Sequence, residues 1–267
     1  ISATHTHTAP ASMGCLGTEA DPVYGPFLRE KLAEAIAAAE ANLEPARVGW
    51  AVQNAAEYTA LRRWILRTDR IGTDPFGNRT VRAGMHWGSN WDQVTGESGP
   101  EDPDLSLISF QATDGRPIAI LANFSMHYFS DGPGLSADYF GLFCEGLQSR
   151  LGRDEPGKPP FVALMSHGCS GDIWRRDYTV PADAAREFTI ENYSEGLLML
   201  ALGACETIDY QANVDLAMSE ARFTLKYRVP DQQRLEWARS IVKAMGDRLP
   251  KNTREVYARA QVLLHQR

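Results

Sequence analysis

The chain has 267 residues, a formal net charge of −7 from 27 Lys and Arg against 34 Asp and Glu, and 43% apolar residues. That length can bury one large core or two small ones, and its scattered basic residues form no stripe, which excludes nucleic acid as an expected partner. No apolar run approaches the roughly 18 residues of a membrane span, and Cys15, Cys144, Cys169 and Cys205 lack both the C-x-x-C spacing of a metal site and the density of a disulfide scaffold.

The chain opens on Ile1-Ser-Ala-Thr-His-Thr-His-Thr-Ala-Pro10. In an extended segment residues i and i+2 face the same way, so Ser2 to Thr6 as the end of a strand would aim His5 and His7 into one site. Pro10, Gly14 and Gly17 then supply a loop. A tag remnant or a frayed terminus is the plainer reading; the alternation with β-branched residues favours a site, because neutral imidazole is a common metal ligand. From Pro26 to Leu43, Leu28, Leu32, Ile36, Ala39 and Leu43 recur at helical spacing and predict an amphipathic helix with Pro26 in its first turn. Arg47 to Val52 reads as a strand. Glu57 to Pro103 has little periodicity and contains Trp64, Trp87 and Trp91, which suggests a long irregular segment kept for function.

Leu105 to Gln111 and Pro117 to Met126 flank Thr113-Asp-Gly-Arg116, a hairpin signal. Tyr139 to Leu151 reads as a short helix, Pro160 to Met165 as a buried strand, and Glu191 to Thr207 and Asp231 to Gly246 as helices, the second capped by Asp231. Met218 to Val229 alternates like a half-exposed strand, and Asn252 to Arg267 starts a last helix. Strands alternating with helices predict an α/β protein, a layered sandwich with a mixed β-sheet flanked by helices.

Three further clusters carry chemistry. An apolar strand delivers His127 just before the loop at Gly132. A lone histidine there is more often a satisfied core residue, but two such clusters would let His5 and His127 share one ion. In Ser136-Ala-Asp138 either polar residue could cap the following helix, or Asp138 could orient an imidazole. In His167-Gly-Cys-Ser170-Gly-Asp172-Ile-Trp174 a glycine turn after a strand exposes N–H groups to an anion or a developing oxyanion; it could equally be a tight connection that needs glycine. Ser170 is not in a G-x-S-x-G elbow and is a weak nucleophile candidate. Arg62 and Arg63 suit a carbonyl oxygen or a carboxylate, or form a solvated pair, and His86 is a spare candidate.

In this order Ser2-Ala-Thr-His5-Thr-His7-Thr-Ala-Pro, Asn123-Phe-Ser-Met-His127, Ser136-Ala-Asp138 and Ser170-Gly-Asp172 resemble the neutral, non-lysosomal ceramidase family, from Ile1 to about Asp177. The resemblance implies a layered α/β sandwich around a single zinc ion (Zn2+) with His5 and His127 as ligands. It also implies His7 beside the metal as proton shuttle, and one of Arg62 and Arg63 facing the substrate carbonyl. The implied activity is a zinc-dependent amidohydrolase cleaving the N-acyl amide of ceramide-like lipids, with zinc-activated water as nucleophile and Arg and backbone donors around the oxyanion. Asp138 or Asp172 is then expected to steady a ligand ring, and Ser170 to lie beside the oxyanion. An amphiphilic lipid substrate, a membrane surface as second partner, and a secreted or periplasmic location follow from the same likeness.

Two departures accompany it. Trp174 stands where the family has a serine credited with catalysis, and an indole cannot replace a hydroxyl. The family's remaining ligands, a glutamate and a tyrosine, fall downstream of this chain, so residues 1–267 read as a single ceramidase-like catalytic domain incomplete at both ends, its signal region lying elsewhere. Trp174 keeps two other readings open: a same-fold hydrolase acting on a different amide or ester, and a catalytically inactive scaffold domain.

Overall fold

A computed structural model describes residues 1–14, 18–86, 91–129, 134–181 and 183–266. Cys15, Gly17, Trp87, Gly132 and Arg267 lie outside the described residues. In chain order the elements are α1 (Tyr24–Ala41), β1 (Ala46–Asn54), β2 (Ala60–Leu61), β3 (Arg63–Leu66), β4 (Gly72–Thr73), β5 (Arg79–Val81), β6 (Ala83–Met85), β7 (Val94–Glu97), β8 (Asp104–Ala112), β9 (Pro117–Phe124), α2 (Asp138–Leu151), β10 (Val162–His167), β11 (Ile173–Trp174), α3 (Ile190–Cys205), α4 (Gln232–Met245) and α5 (Thr253–Gln266). The chain gathers into two compact units.

The first unit comprises Ile1–Ala9, Ala39–Ile71 and Arg82–Asp215. Its centre is a mixed four-stranded sheet in the order β1-β8-β9-β10, so the protein is α/β as expected. β8 and β9 form the antiparallel hairpin, turning at Gly115 with φ +94°, where the Asp114 carboxylate accepts from the Arg116 N–H at 3.0 Å. β10 runs parallel to β9, a pairing that needs a crossover, and α2 supplies it. Along β8 and β9 the side chains alternate in burial. Leu105, Leu107, Ile120, Ala122 and Phe124 thereby share a core with Tyr139, Phe143 and Leu147 of α2 and Tyr193 and Leu197 of α3. α3 comes flush onto Tyr58, since a Cβ at Gly196 would stand 2.1 Å from the Tyr58 hydroxyl. The Tyr193 hydroxyl donates to the Tyr58 carbonyl at 2.7 Å.

Glu57 to Pro103, expected to be irregular, carries the short strands β2 to β7. Elements of two to four residues end before a period of two becomes visible in the sequence. β3 is central to a three-stranded antiparallel sheet, β6-β3-β7, and β2 pairs with β11.

The second unit comprises Pro10–Ala38, Gly72–Val81 and Leu216–Arg267, and includes the β4–β5 pair, α4 and α5. Asp231 caps α4 by accepting from the Arg234 N–H at 2.8 Å. Phe76 packs edge-on to Trp237, centroids 5.2 Å apart. Met218 to Val229 forms no strand, and Met218, Phe223, Leu225 and Tyr227 are exposed. Its alternation gives it a capacity for pairing, but a ladder also needs a partner, and no described strand pairs with it. Cys144, Cys169 and Cys205 are free thiols. Among the described residues no helix is long and apolar enough to cross a membrane.

Candidate functional site

Four imidazoles from three chain segments meet at one end of the mixed sheet. His127 follows β9, His167 ends the parallel β10 in register with Phe124, and His5 and His7 come from the N-terminal segment. The His5 ring centroid lies 4.4 Å from that of His127, 5.4 Å from His7 and 6.5 Å from His167. His127 and His167 are 6.4 Å apart.

Ser2 to Thr6, expected as a strand end, is not a strand. Hydroxyls hold it where ladder bonds would have done. Ser2 Oγ accepts from the His167 N–H at 2.9 Å, and Thr6 Oγ1 donates to the Ser136 carbonyl at 3.0 Å. The Thr8 carbonyl accepts from the Ser136 N–H at 3.1 Å. His5 itself has φ +58°, in the left-handed region that a side-chain-bearing residue occupies at a cost. That turn, and not strand alternation, brings His5 to His127.

Burial, followed by the charges of Arg62, His5 and His167, pulls His127 down to about 4. Burial also lowers His5, followed by its neighbours His7, His167 and Arg62. Both rings are therefore neutral near pH 7. His127 is 8% exposed and its Nδ1 is buried without a hydrogen-bond partner. Two neutral imidazoles, one with an unpartnered buried nitrogen, suit zinc in donor type and protonation state. They fall short of it in number: among the described residues no group of three or more His, Cys, Asp or Glu is placed to hold an ion.

Arg62 and Arg63 part company because successive residues of an extended chain face opposite ways. Arg62 is only 7% exposed; Arg63 is half-buried, with Nη2 4.0 Å from Met85 Sδ. The Arg62 N–H donates to the Asp172 carbonyl at 2.9 Å, and Nη2 donates to the Gly171 carbonyl at 2.8 Å. Its Nη1 donates to His86 Nε2 at 3.3 Å, and the His86 N–H donates to the Arg62 carbonyl at 2.9 Å. A guanidinium has no acceptor, so Nε2 of His86 must be unprotonated and Nδ1 carries the proton, which it gives to the Tyr178 hydroxyl. Burial, then the charges of Arg62 and Arg175, lowers His86 and favours this neutral form.

Trp174 lies between the two groups of side chains, its ring centroid 5.3 Å from His86, 5.6 Å from Tyr128 and 6.1 Å from His127. Asp172 takes part through its backbone carbonyl. Asp138, 3% exposed and at φ +59°, accepts from the backbone N–H groups of Phe129 at 2.7 Å and Tyr139 at 2.8 Å, fixing the chain on either side of the His127 loop. The N-cap position of α2 is Ala137, with no side-chain cap. Ser170 is buried, and its carbonyl accepts from the Ile173 N–H at 3.1 Å to close the glycine turn. A Cβ at Gly168 would lie 2.3 Å from Ser125 Oγ, which is why that turn can seat against the end of β9.

His167, Tyr128, Tyr178 and Arg175 belong to this neighbourhood without having been singled out from the sequence. His167 had the signal that marked His127, a histidine at the end of an apolar strand. The two tyrosines and Arg175 had none.

No protein-family model and no curated protein matches the chain. Solved structures do. The neutral ceramidase from Pseudomonas aeruginosa aligns over 77% of this chain with a TM-score of 0.51 and 15% identity. A ceramidase complexed with C2 aligns over 63% of this chain and 23% of its own at 14% identity, but its TM-score of 0.42 is too low to build on. The chain spans 31% of the Pseudomonas protein's length.

Proposed function

Starting from a ceramidase-like fold, we propose that this chain is part of a zinc-dependent hydrolase that cleaves the amide of an N-acylated, amphiphilic lipid. The observation that carries the proposal is the neutral His5–His127 pair, 4.4 Å apart, beside the buried guanidinium of Arg62. His5 and His127 would hold the ion. Zinc, when bound there, lowers the pKa of a water and polarises a carbonyl oxygen.

The protein's own groups would do the rest. Arg62 is locked by His86 and the Gly171 carbonyl and presents a desolvated cation to the amide oxygen as charge gathers on it. His7, held against Tyr128, would carry a proton from the nucleophile to the leaving nitrogen. Trp174, at the position matched to the family's serine, lies 5.2 Å from the Arg62 guanidinium, would help to keep bulk water from it, and offers no nucleophile. The substrate class is matched by a secreted or periplasmic setting and by work at a lipid surface.

Elemental analysis of the protein, joined to hydrolysis of an N-acyl amide before and after chelation, tests the proposal. Zinc content near one ion per chain, with activity lost on chelation and restored by zinc, is expected. Hydrolysis that survives metal removal, or a protein that takes up no zinc and cleaves nothing, would sink it. The second of these outcomes would favour a scaffold without chemistry, the reading that Trp174 keeps open.

A further inference from the structure

Three guanidinium groups converge beside the histidines, and among the described residues none of the three makes an ion pair with a carboxylate. Arg176 lies 5.3 Å from the centroid of the Tyr178 ring, whose hydroxyl meets His86, the partner of Arg62. Each of the three arginines has a buried nitrogen without a hydrogen-bond partner, Nε in Arg62 and Arg176 and Nη1 in Arg175. Arg62 and Arg175 also lie against the Trp174 indole, 5.2 Å and 4.5 Å from the ring centroid, and Arg175 is 4.2 Å from that of Phe129. Asp172 and Asp138 act on Arg62 and Arg175 through their charge, and among the described residues neither pair is an ion pair or a side-chain hydrogen bond. Aromatic faces steady a cation but do not satisfy its N–H groups. A buried guanidinium with unmade hydrogen bonds is costly, and a planar anion that accepts from two such groups removes that cost.

We propose that the site takes an N-acyl amide whose amine half bears a carboxylate, as in an N-acyl amino acid, and that Arg175 and Arg176 seat that carboxylate beside Arg62. A neutral ceramide offers nothing to this cluster. In an N-acyl amino acid the carboxylate stands one carbon from the amide nitrogen, so a charge seated at Arg175 and Arg176 brings the amide toward Arg62 and the imidazole cluster, of which His127 is 6.1 Å from the Trp174 ring. The inference rests on the amide-hydrolase reading for the acyl-amide part of the ligand, and on the arginines alone for its charge.

The test measures binding by calorimetry on the full chain, with N-decanoylglycine and its neutral counterpart N-decanoylethanolamine as probes. The carboxylate probe is expected to bind at least about tenfold more tightly. In Arg175→Gln/Arg176→Gln that preference is expected to fall to within about twofold, with the neutral probe unaffected. Sulfate should compete with the glycine conjugate and not with the ethanolamide, a readout that holds even where the double variant does not fold. Equal affinities, a preference that persists in a folded double variant, insensitivity to sulfate, or binding of neither probe would overturn the inference. If the preference is present and hydrolysis absent, the amide-hydrolase reading falls and the anion seat stands.

Discussion

The rings of His7 and Tyr128 are stacked, with centroids 3.8 Å apart and planes 21° from parallel. His7 is an exposed residue, and this stack, with the neighbouring His5 ring at 5.4 Å, gives it a defined direction. A proton carrier has to be held within reach of both atoms it serves, and general acid–base catalysis supplies about 10²- to 10⁴-fold when it is. Tyr128→Phe, which keeps the ring, should hydrolyse within about threefold of the parent, whereas Tyr128→Ala should lose tenfold or more, on the order of the lower part of that range. Equal rates in the two variants would remove the stack from the mechanism.

The two adjacent arginines should behave differently. Arg62→Lys deletes the paired donations to His86 and the Gly171 carbonyl, and a lysine cannot rebuild them. kcat is expected to drop by about 10²-fold, the scale of losing one oxyanion donor. Arg63→Ala, on the half-buried face, should change stability by no more than about 0.5 kcal/mol and leave kcat alone. Steady-state kinetics on both variants, with melting curves beside them, decides; a larger loss at Arg63 would reverse the assignment.

His86 should make stability depend on pH. Its folded pKa lies below the ordinary 6.5, burial being the largest cause and the Arg62 and Arg175 charges following. As pH falls through 6.5 the unfolded chain takes up a proton that the folded chain refuses, so stability declines below that value until the folded pKa is reached, and is complete above it. Melting temperatures between pH 7.5 and 5 should therefore fall less steeply in His86→Gln than in the parent. Parallel curves would show that His86 contributes nothing to the decline.

Catalysis should depend on metal and not on an acyl-enzyme. His5→Ala is expected to abolish hydrolysis and lower zinc content, since it removes half of the imidazole pair. Ser170→Ala, a buried residue of the glycine turn, should lower the rate modestly, by an effect of at most about 3 kcal/mol. Labelling of Ser170 by a fluorophosphonate, with loss of turnover in metal-free and metal-loaded protein alike, would point to a serine nucleophile.

Which of these features the sequence disclosed follows from the kind of interaction that made them. β1, the β8–β9 hairpin, α2, β10, α3 and α4 rest on local periodicity and caps, and they were legible. Met218 to Val229 has the periodicity of a strand without its partner, so the same signal misled. His5 and His127 were legible as a pair because each carried a motif. The means of their meeting was not, because it depends on hydroxyls from Ser2 and Thr6 reaching His167 and Ser136 across the unit. Arg62 could not be told from Arg63, since the strands that bury one of them are two and four residues long. Arg175 and Tyr178 joined the site through packing of an irregular segment that no period describes.

The bond from the His167 N–H to Ser2 Oγ closes a loop across 165 residues. Closing a loop of that length is entropically costly and must follow the pairing of β9 with β10 that presents His167. The imidazole cluster is thus expected to assemble late in folding, as the segment from Ser2 to Thr8 docks. An ion held between His5 and His127 would act as a clasp on that segment, making the lifetime of its docked state, read by amide exchange at His167, depend on free metal concentration.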